Sequence, residues 1–195
     1  MNDRSIRIKE VQSRKDRKRF ITFPWLIYAG DPNWVPPLIR EEKKKLSPRS
    51  NPFWDHAEAA FYLAFRGEEP VGRIAAIEDR LFIDYHREKT GYFGFFECRD
   101  DTEAARLLLK TAETWLKERG LNKMIGPLNP STNDICGLLI EGYDTPPKIM
   151  MPYNPPYYPK LLEDRGLTKA KDLLAYRIPV PEEMNPRLEK ISIVL

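Results

Sequence analysis

The chain has 195 residues, of which 42% are hydrophobic and 31% charged, so its composition is that of one folded domain and excludes a disordered or collagen-like protein. The two cysteines cannot form a disulfide framework, and the two histidines lie too far apart to indicate a metal site. The longest apolar stretch, Phe20–Gly30, is too short to span a membrane and contains Pro24. We therefore predict a cytoplasmic protein with no metal and no membrane partner.

The positive charge is concentrated near the start of the sequence. The net charge is +3, yet residues 1–20 hold eight Lys/Arg against three Asp/Glu, so the remaining residues carry −2. This basic segment could contact phosphates of a nucleic acid or a cofactor. Because it directly precedes the apolar residues Phe20–Ile27, the pattern favours the solvated face of a first helix, and nucleic acid is not expected as a partner.

The first half of the chain predicts helices followed by strands. Pro24 must kink or split the first helix, and the aromatic residues between Thr90 and Cys98 indicate a central strand. The predicted elements are, in order, a strand at Ile6–Ile8, a helix over Arg14–Tyr28, a short helix over Leu38–Leu46, a hairpin of Ala59–Arg66 with Val71–Glu78, and the strand Thr90–Cys98.

The second half begins with the clearest helix. Asp100 can cap it, Glu103 completes the spacing of a capping box, and Gly120 ends it. The elements predicted after this helix are a strand over Leu121–Leu128, a helix around Ile135–Glu141, a strand over Lys148–Tyr153, a helix over Tyr157–Arg165 and a strand over Lys169–Ile178.

This order predicts an α/β (α+β) domain over residues 1–178. Its sheet is mixed and mostly antiparallel, with about six or seven strands, and helices flank it. Residues 179–195 are predicted to be a linker or the start of a further, truncated element.

Three antiparallel strands, a crossover helix, a parallel strand and a later short helix together resemble the GNAT superfamily of N-acetyltransferases over residues 5–178. Asn154 stands eight residues before Leu162 and thirteen before Leu167, similar to the family's pattern of an Asn, a short helix and a closing Gly-Phe. The stretches that resemble a divergent branch of this superfamily are Asn51–Phe53, Gly94–Cys98 and Met151–Tyr158.

The resemblance implies an acyltransferase that moves an acyl group from acetyl-CoA or another acyl-CoA to the amine of a small-molecule substrate. It also implies a homodimer or a second similar domain as a partner. In the family, the coenzyme lies between the strand before the crossover helix and the parallel strand after it, with its pyrophosphate on the helix N-terminus. We therefore expect these two strands to diverge if a coenzyme binds, and aromatic side chains to fill the groove if none does.

The sequence departs from the family at the pyrophosphate loop. Where the family has a glycine-rich loop, the run Cys98–Ala105 has no glycine and three carboxylates. A carboxylate about 8 Å from a phosphate charge costs roughly 2 kcal/mol at an effective dielectric of about 20, whereas a helix N-terminus supplies only about 0.3–1 kcal/mol. We therefore predict that a coenzyme binds weakly, or that its pyrophosphate lies away from the N-terminus of this helix.

Candidate site residues follow from the resemblance and from the polar loops. Glu97 is the candidate base, or else a strand-end residue paired with Arg99, and Tyr158 is the candidate acid, or else a packing residue. The candidate cofactor-binding residues are Phe96, Cys98, Arg99 and Asn154. The candidate substrate-binding residues are Asn129, Ser131, Thr132, Asn133, Tyr153 and Tyr157.

Three alternatives remain open at this point. The loop Asn129–Asp134 is either a ligand-binding loop or a capped turn that introduces the next element. Cys136 is a nucleophile or, more in keeping with its surroundings, an inert thiol. The whole domain is an acyltransferase or a degenerate binding module that uses an aromatic surface of Trp25, Trp34, Phe53, Trp54, Tyr157 and Tyr158.

Overall fold

A computed structural model describes residues 5–176 and 178, which form a five-stranded mixed sheet, a separate two-stranded sheet and flanking helices. The strands are β1 (Ile6–Glu10), β2 (Ala57–Arg66), β3 (Glu69–Asp79), β4 (Thr90–Cys98), β5 (Lys123–Ile125), β6 (Leu128–Asn129) and β7 (Ile135–Cys136). The helices are α1 (Arg14–Thr22), α2 (Pro24–Ile27), α3 (Ile39–Lys45), α4 (Arg80–His86), α5 (Thr102–Glu118) and α6 (Tyr158–Glu163).

The main sheet has the order β1-β2-β3-β4-β5. Its first four strands are antiparallel, and only β5 runs parallel to its neighbour β4. The second sheet pairs β6 with β7. The predicted fold class is confirmed, with the seven strands divided between two sheets.

Helices cover both faces of the main sheet because side chains of each strand alternate between the faces. One face packs against α5 and α6, and its cluster includes Ile74, Phe93 and Leu108. The opposite face packs against α1, and its cluster includes Phe20, Leu63 and Phe95. The sheet is therefore the middle layer of three.

Most predicted elements before residue 122 are confirmed. The first helix is split at Pro24 into α1 and α2, since a proline nitrogen cannot donate to the helix ladder. The strand over Thr90–Cys98 has the predicted bounds and is bonded on both sides. The prediction that Asp100 caps α5 is wrong. The side chain of Asp101 caps the helix and accepts from the Ala104 amide at 3.0 Å.

Three later predictions are wrong. Residues 135–141 contain β7 in place of a helix, and neither 148–153 nor the described part of 169–178 forms a strand. Ile149 and Leu174, which suggested buried strands, are 94% and 73% exposed. Apolar composition predicted burial there, but a strand also needs a neighbouring strand to pair with. The predicted linker at 179–195 lies outside the described residues.

Two short elements were not predicted, namely α4 and a 3-10 turn at Pro52–Asp55. Both are too short for a periodic pattern, although Asp79 caps α4 by accepting from the amides of Leu81 and Phe82. Across the described ranges, no helix has the length and apolar character needed to cross a membrane.

Gly94 brings β4 and β6 unusually close together. A Cβ atom at this position would lie 1.7 Å from the Leu128 carbonyl oxygen, which is backbone and cannot rotate away. At Gly91, a Cβ would instead meet the Leu116 side chain at 2.4 Å. The close approach at Gly94 places β6 directly beside the second half of β4.

We predict that Gly94→Ala lowers the free energy of unfolding by about 3 kcal/mol, because overpacking against backbone must separate the two segments. Gly91→Ala is the matched control and should cost less, since leucine methyl groups can move. Urea unfolding followed by circular dichroism measures both. Equal losses for the two variants would contradict the close approach described here.

Candidate functional site

The end of β4 is shaped by a bulge. Ala75 of β3 opposes Gly94, and Arg73 opposes Glu97, so two residues of β4 face one residue of β3. Phe95 at the bulge has φ +50°, and its amide donates to the Asn129 side-chain oxygen at 2.5 Å. Asn129, a predicted substrate-binding residue, thus stabilises a left-handed residue that is costly for a side chain of this size.

Beyond this region β4 and β5 no longer pair. Their parallel register covers only Thr90–Lys123, Gly91–Met124 and Tyr92–Ile125. After β5 the chain passes through the cis peptide Gly126–Pro127 and lies against β4 again as β6, near Gly94. The parallel pairing of β4 with β5 therefore ends after three residue pairs, and beside Gly94 the backbone of β6 takes the place of β5.

Glu97 lies next to the bulge and is held by two phenols. Its Oε2 atom accepts from the Tyr158 hydroxyl at 2.7 Å and from the Tyr28 hydroxyl at 2.9 Å. Only 14% of its side-chain surface is exposed. Glu97 is therefore a nearly buried carboxylate with a fixed orientation, and it is not the partner of Arg99 that the sequence left as an alternative.

Arg73 is the cation that faces Glu97 from β3. Its Nη2 atom lies 3.6 Å from Glu97 Oε1, and its Nη1 donates to the Phe20 carbonyl at 2.7 Å. The guanidinium also lies 5.0 Å from the Phe20 ring centroid. Its Nε has no hydrogen-bond partner among the described residues. Arg73 thereby connects α1 to the carboxylate.

The protonation states of this group follow from its burial. Burial raises the pKa of Glu97, while Arg73 and the two hydrogen-bonding tyrosines partly oppose that rise. Burial and the charge of Glu97 raise the pKa values of Tyr28 and Tyr158. Both phenols therefore stay protonated and donate, and Glu97 is the group in this set that can accept a proton.

Two tyrosine hydroxyls form hydrogen bonds with the backbone of Cys98. The Cys98 amide donates to the Tyr158 hydroxyl at 2.9 Å, and the Tyr157 hydroxyl donates to the Cys98 carbonyl at 2.9 Å. Burial raises the pKa of the Cys98 thiol, so it is not a nucleophile at neutral pH. Phe96, also a predicted cofactor-binding residue, is buried and meets the Tyr158 ring edge-on at 5.3 Å.

Aromatic side chains form a wall beside Glu97. Tyr28 stacks on Trp34 with centroids 5.0 Å apart, and its hydroxyl also lies 3.2 Å from the Tyr153 carbonyl oxygen. The Tyr153 hydroxyl donates to Asp31 at 2.7 Å, and burial raises the pKa of Tyr153 to about 12. The segment before α3 and the segment before α6 therefore meet at the site.

The Asn154 side chain forms hydrogen bonds that join its own loop, before α6, to the loop around Leu139. Asn154 is 4% exposed, its side-chain oxygen accepts from the Leu139 amide at 2.7 Å, and its nitrogen donates to the Leu139 and Pro155 carbonyls. The predicted cofactor-binding residue thus has its hydrogen-bonding groups engaged by the protein.

The polar loop after β6 forms a local turn. The Ser131 hydroxyl donates to Asp134 at 3.0 Å and accepts from the Asn133 amide at 3.2 Å, while Thr132 is exposed. Among the described residues, no hydrogen bond joins these side chains to Glu97. The structure brings Asn129, Tyr153 and Tyr157 to the site and leaves this turn at its margin.

The N-terminus of α5 does not suit a pyrophosphate. Arg66 pairs with Asp101 at 2.8 Å and with Glu103 at 3.1 Å, and Arg99 pairs with Glu69 at 2.6 Å. The four carboxylates Glu69, Asp100, Asp101 and Glu103 thus outnumber the two arginines, so the local charge stays negative. We find that these residues do not fit the pyrophosphate of coenzyme A, although Arg66 offsets more of the acidic charge than the sequence suggested.

The structure weakens the binding-module hypothesis. Tyr158 is 1% exposed, and the other five aromatic side chains of that proposed surface are only partly exposed. They pack against neighbouring rings, as Phe53 does against Trp54 and Trp25 against Trp34. An aromatic docking surface made of these residues is therefore not available on the described domain.

Sequence reasoning missed Tyr28, Asp31, Trp34 and Arg73. Arg73 carried a detectable signal, because it is the single charged residue within the apolar run Val71–Ile77. A charge in such a run needs a partner, and the hairpin geometry places Glu97 opposite it. The other three required the packing of the first loop against the last one.

We predict that Glu97 makes folding stability fall as pH rises. Because its pKa is raised in the folded state, the folded protein binds more protons than the unfolded chain above the ordinary glutamate value of 4.5. Its contribution is fully present below that value and is lost towards the folded pKa. Urea unfolding between pH 4 and 8 should show the wild type losing stability relative to Glu97→Gln, and the opposite slope would contradict the raised pKa.

We predict that Asp100→Asn changes the Kd for coenzyme A by less than about twofold, because the pyrophosphate does not lie on α5. Asp84→Asn, which removes an exposed carboxylate on α4, is the matched control. Isothermal titration calorimetry measures both. Binding that becomes about fivefold or more tighter in Asp100→Asn alone would place the pyrophosphate at this helix after all.

Comparisons with known proteins agree with this architecture. No protein-family model matches the chain. Over 185 residues and 92% of its length it is 40% identical to "Bacterial ceramide synthase" of Caulobacter vibrioides, and it is 38% identical over 94% of its length to "Protein YghO" of Escherichia coli. These matches cover 48% and 47% of the relatives, so the chain spans about half the length of the curated relatives it matches.

Solved acetyltransferases have the same fold at low sequence identity. An aminoglycoside acetyltransferase from an uncultured soil metagenomic sample aligns with a TM-score of 0.52 and 11% identity, covering 90% of this chain and 97% of that protein. A protein of Pyrococcus furiosus described as an acetyl transferase aligns with a TM-score of 0.51 and 18% identity, covering 89% of this chain and 100% of its own. The described chain has the fold of the GNAT acetyltransferases, as its sequence resemblance predicted.

Proposed function

We propose that this chain is the acyl-transferring part of an N-acyltransferase that joins a fatty acyl group to the amine of a long-chain base. The observation that carries the proposal is the buried Glu97 carboxylate, held by Tyr28 and Tyr158 at the end of β4, beyond its pairing with β5, in an acetyltransferase fold. The relative named a ceramide synthase indicates the substrate class, since a ceramide is a long-chain amino alcohol whose amine is acylated.

The chemistry needs a base, because an amine is protonated at neutral pH and cannot attack a carbonyl carbon in that form. Glu97 suits this step, since burial raises its pKa towards the operating pH and its orientation is fixed. Its carboxylate would take one proton from the ammonium group. The neutral amine would then attack the thioester carbonyl, forming the C–N bond.

Collapse of the resulting intermediate breaks the C–S bond and requires a proton for the departing thiolate. Tyr158 is the candidate donor, because its phenol is protonated and lies 2.7 Å from Glu97. The attacking nitrogen passes its second proton to the Tyr158 phenolate left by this transfer, so the amide and the thiol leave neutral, Tyr158 is restored and Glu97 holds the first proton. Tyr158 also accepts from the Cys98 amide, which keeps its hydroxyl aligned.

The acyl donor is proposed to be an acyl thioester, with acyl-CoA as the form that the family resemblance implies. The acidic start of α5 argues that a coenzyme pyrophosphate would lie away from that helix. Asn129, Tyr153 and Tyr157 are proposed to line the substrate path, because they contact groups next to Glu97, namely the Phe95 amide, the Tyr28 hydroxyl and the Cys98 carbonyl. The candidate roles of Phe96, Cys98, Arg99 and Asn154 in holding a coenzyme remain predictions.

We predict that Glu97→Gln lowers kcat/KM for N-acylation about 100-fold or more, because a general base typically contributes that factor. The assay combines the protein with a fatty acyl thioester and a long-chain base, and mass spectrometry quantifies the amide. Tyr158→Phe should lower kcat more than it changes KM. Glu58→Gln, which removes an exposed carboxylate paired with Arg80, is the matched control and should keep wild-type activity.

Each variant is first checked for folding by urea unfolding, because Tyr158→Phe leaves the buried Cys98 amide without its partner. A folded Glu97→Gln protein with activity within threefold of the wild type would overturn the assignment of the base. No amide product from the wild type with any acyl thioester and amine would overturn the proposed function.

A further inference from the structure

An exposed apolar patch lies between α2 and α3. Leu38 is 73% exposed, Val35 58%, Leu26 50% and Ile39 42%. Two prolines, Pro36 and Pro37, lie within the same stretch and are also exposed. Single exposed apolar residues need no explanation, but four large ones within fourteen residues are unusual on a protein surface.

Basic side chains lie on the helices α1 and α3. The exposed cations are Arg14, Lys15, Arg17 and Lys18 on α1 and Arg40, Lys43 and Lys44 on α3. Residues 14–45 hold nine Lys/Arg and only four Asp/Glu, a net charge of +5 against +3 for the whole chain. The rest of the chain therefore carries a net charge of −2.

The acidic residues of this segment neutralise only part of its positive charge. Asp16 is buried and pairs with Lys9, an interaction that lowers the pKa of Asp16 to about 2. Glu42 is buried and pairs with Lys45, and Glu41 pairs with Lys44. Because α1 and α3 share the buried cluster of Phe20 and Leu46, their exposed basic residues belong to one region of the protein.

This region is continuous with the candidate site. The patch lies on both sides of Tyr28, Asp31 and Trp34, which form the wall beside Glu97. The Asn33 side chain donates to the Tyr143 carbonyl at 3.3 Å, which joins the segment to a second loop. That loop carries further exposed apolar residues, since Ile149 is 94% and Met150 57% exposed.

We propose that this basic–apolar surface, formed by Leu26, Val35, Leu38 and Ile39 with the exposed cations of α1 and α3, binds an anionic phospholipid bilayer. The lysines and arginines would attract lipid phosphates, and the apolar side chains would enter the interface beneath them. Such contact needs no spanning helix, so it differs from the membrane insertion that the sequence excludes.

The combination of positive charge and exposed apolar residues favours a bilayer over a nucleic acid or a protein partner. A nucleic acid would use the cations and leave Leu38 and Ile39 in water, whereas a protein partner would not require a net charge of +5. The role of the surface, which is to let a long-chain amine pass from the bilayer towards Glu97, rests on the proposed function. The lipid contact itself rests on exposure and charge alone.

Vesicle sedimentation with the full chain tests the contact. The probes are vesicles of phosphatidylcholine alone and vesicles with 30% phosphatidylglycerol, without substrate. We expect at least tenfold stronger binding to the anionic vesicles, with affinity falling as salt rises. Lys43→Ala combined with Lys44→Ala should weaken that binding about tenfold or more, since one cation near the surface contributes about fivefold.

The apolar part is tested by Leu38→Glu combined with Ile39→Glu, which should lower binding at least tenfold. Leu81→Glu on α4 and Lys110→Ala on α5 are matched controls, because both side chains are exposed and lie outside the patch. These surface variants are expected to fold, which circular dichroism checks. Controls should bind as the wild type does.

Several results would overturn the inference. They are no vesicle binding by the wild type, equal binding to neutral and anionic vesicles, or unchanged binding by Leu38→Glu with Ile39→Glu. Salt-sensitive binding to single-stranded DNA in place of vesicles would assign the cations to nucleic acid, and dimerisation abolished by the same double variant would assign the patch to a second copy. Acylation of a short, water-soluble amine without vesicles tests the proposed function separately.

Discussion

The structure of the site depends on one buried charge pair. Arg73 and Glu97 face each other across adjacent antiparallel strands, and both are largely removed from water. Taking two charges out of water costs several kcal/mol each unless additional hydrogen bonds compensate. Here the compensation comes from three distant parts of the chain, through the Phe20 carbonyl, the Tyr28 hydroxyl and the Tyr158 hydroxyl. The pair therefore holds α1, the following loop and α6 at the end of β4.

A second constraint is the bulge in β4. Phe95 adopts a left-handed conformation that the main sheet alone would not stabilise, and Asn129 accepts its displaced amide. Gly94 provides the space for β6 to approach. The pairing of β4 with β5 ends at Tyr92 and Ile125, just before this bulge. The bulge places Glu97 where it meets both tyrosines.

The likeness to acetyltransferases and the departure from their phosphate loop are compatible physically. The fold is maintained by the two apolar clusters on either side of the sheet, and at the start of α5 these clusters include the buried Ala104 and Ala105 but none of the charged residues. Acidic residues there form ion pairs with Arg66 and Arg99 at partly exposed positions, where each pair contributes little to stability. An acidic helix start without a phosphate site is therefore compatible with the stability of the domain.

Local patterns in the sequence were enough to predict most elements up to residue 122, the split at Pro24, the bounds of β4 and the helix α6, because side-chain periodicity and proline act within a few residues. The resemblance to the acetyltransferases nominated Glu97 and Tyr158. Local patterns failed over 135–153 and 169–176, where apolar residues such as Ile149 and Leu174 lie exposed on segments with no partner strand. The pairing of Glu97 with Arg73 and Tyr28, the use of Asn129 at the bulge and the neutralising role of Arg66 arose only in the folded chain. These contacts join residues 24 to 69 positions apart, and whether such groups meet is set by sheet register and helix packing, which no local pattern encodes.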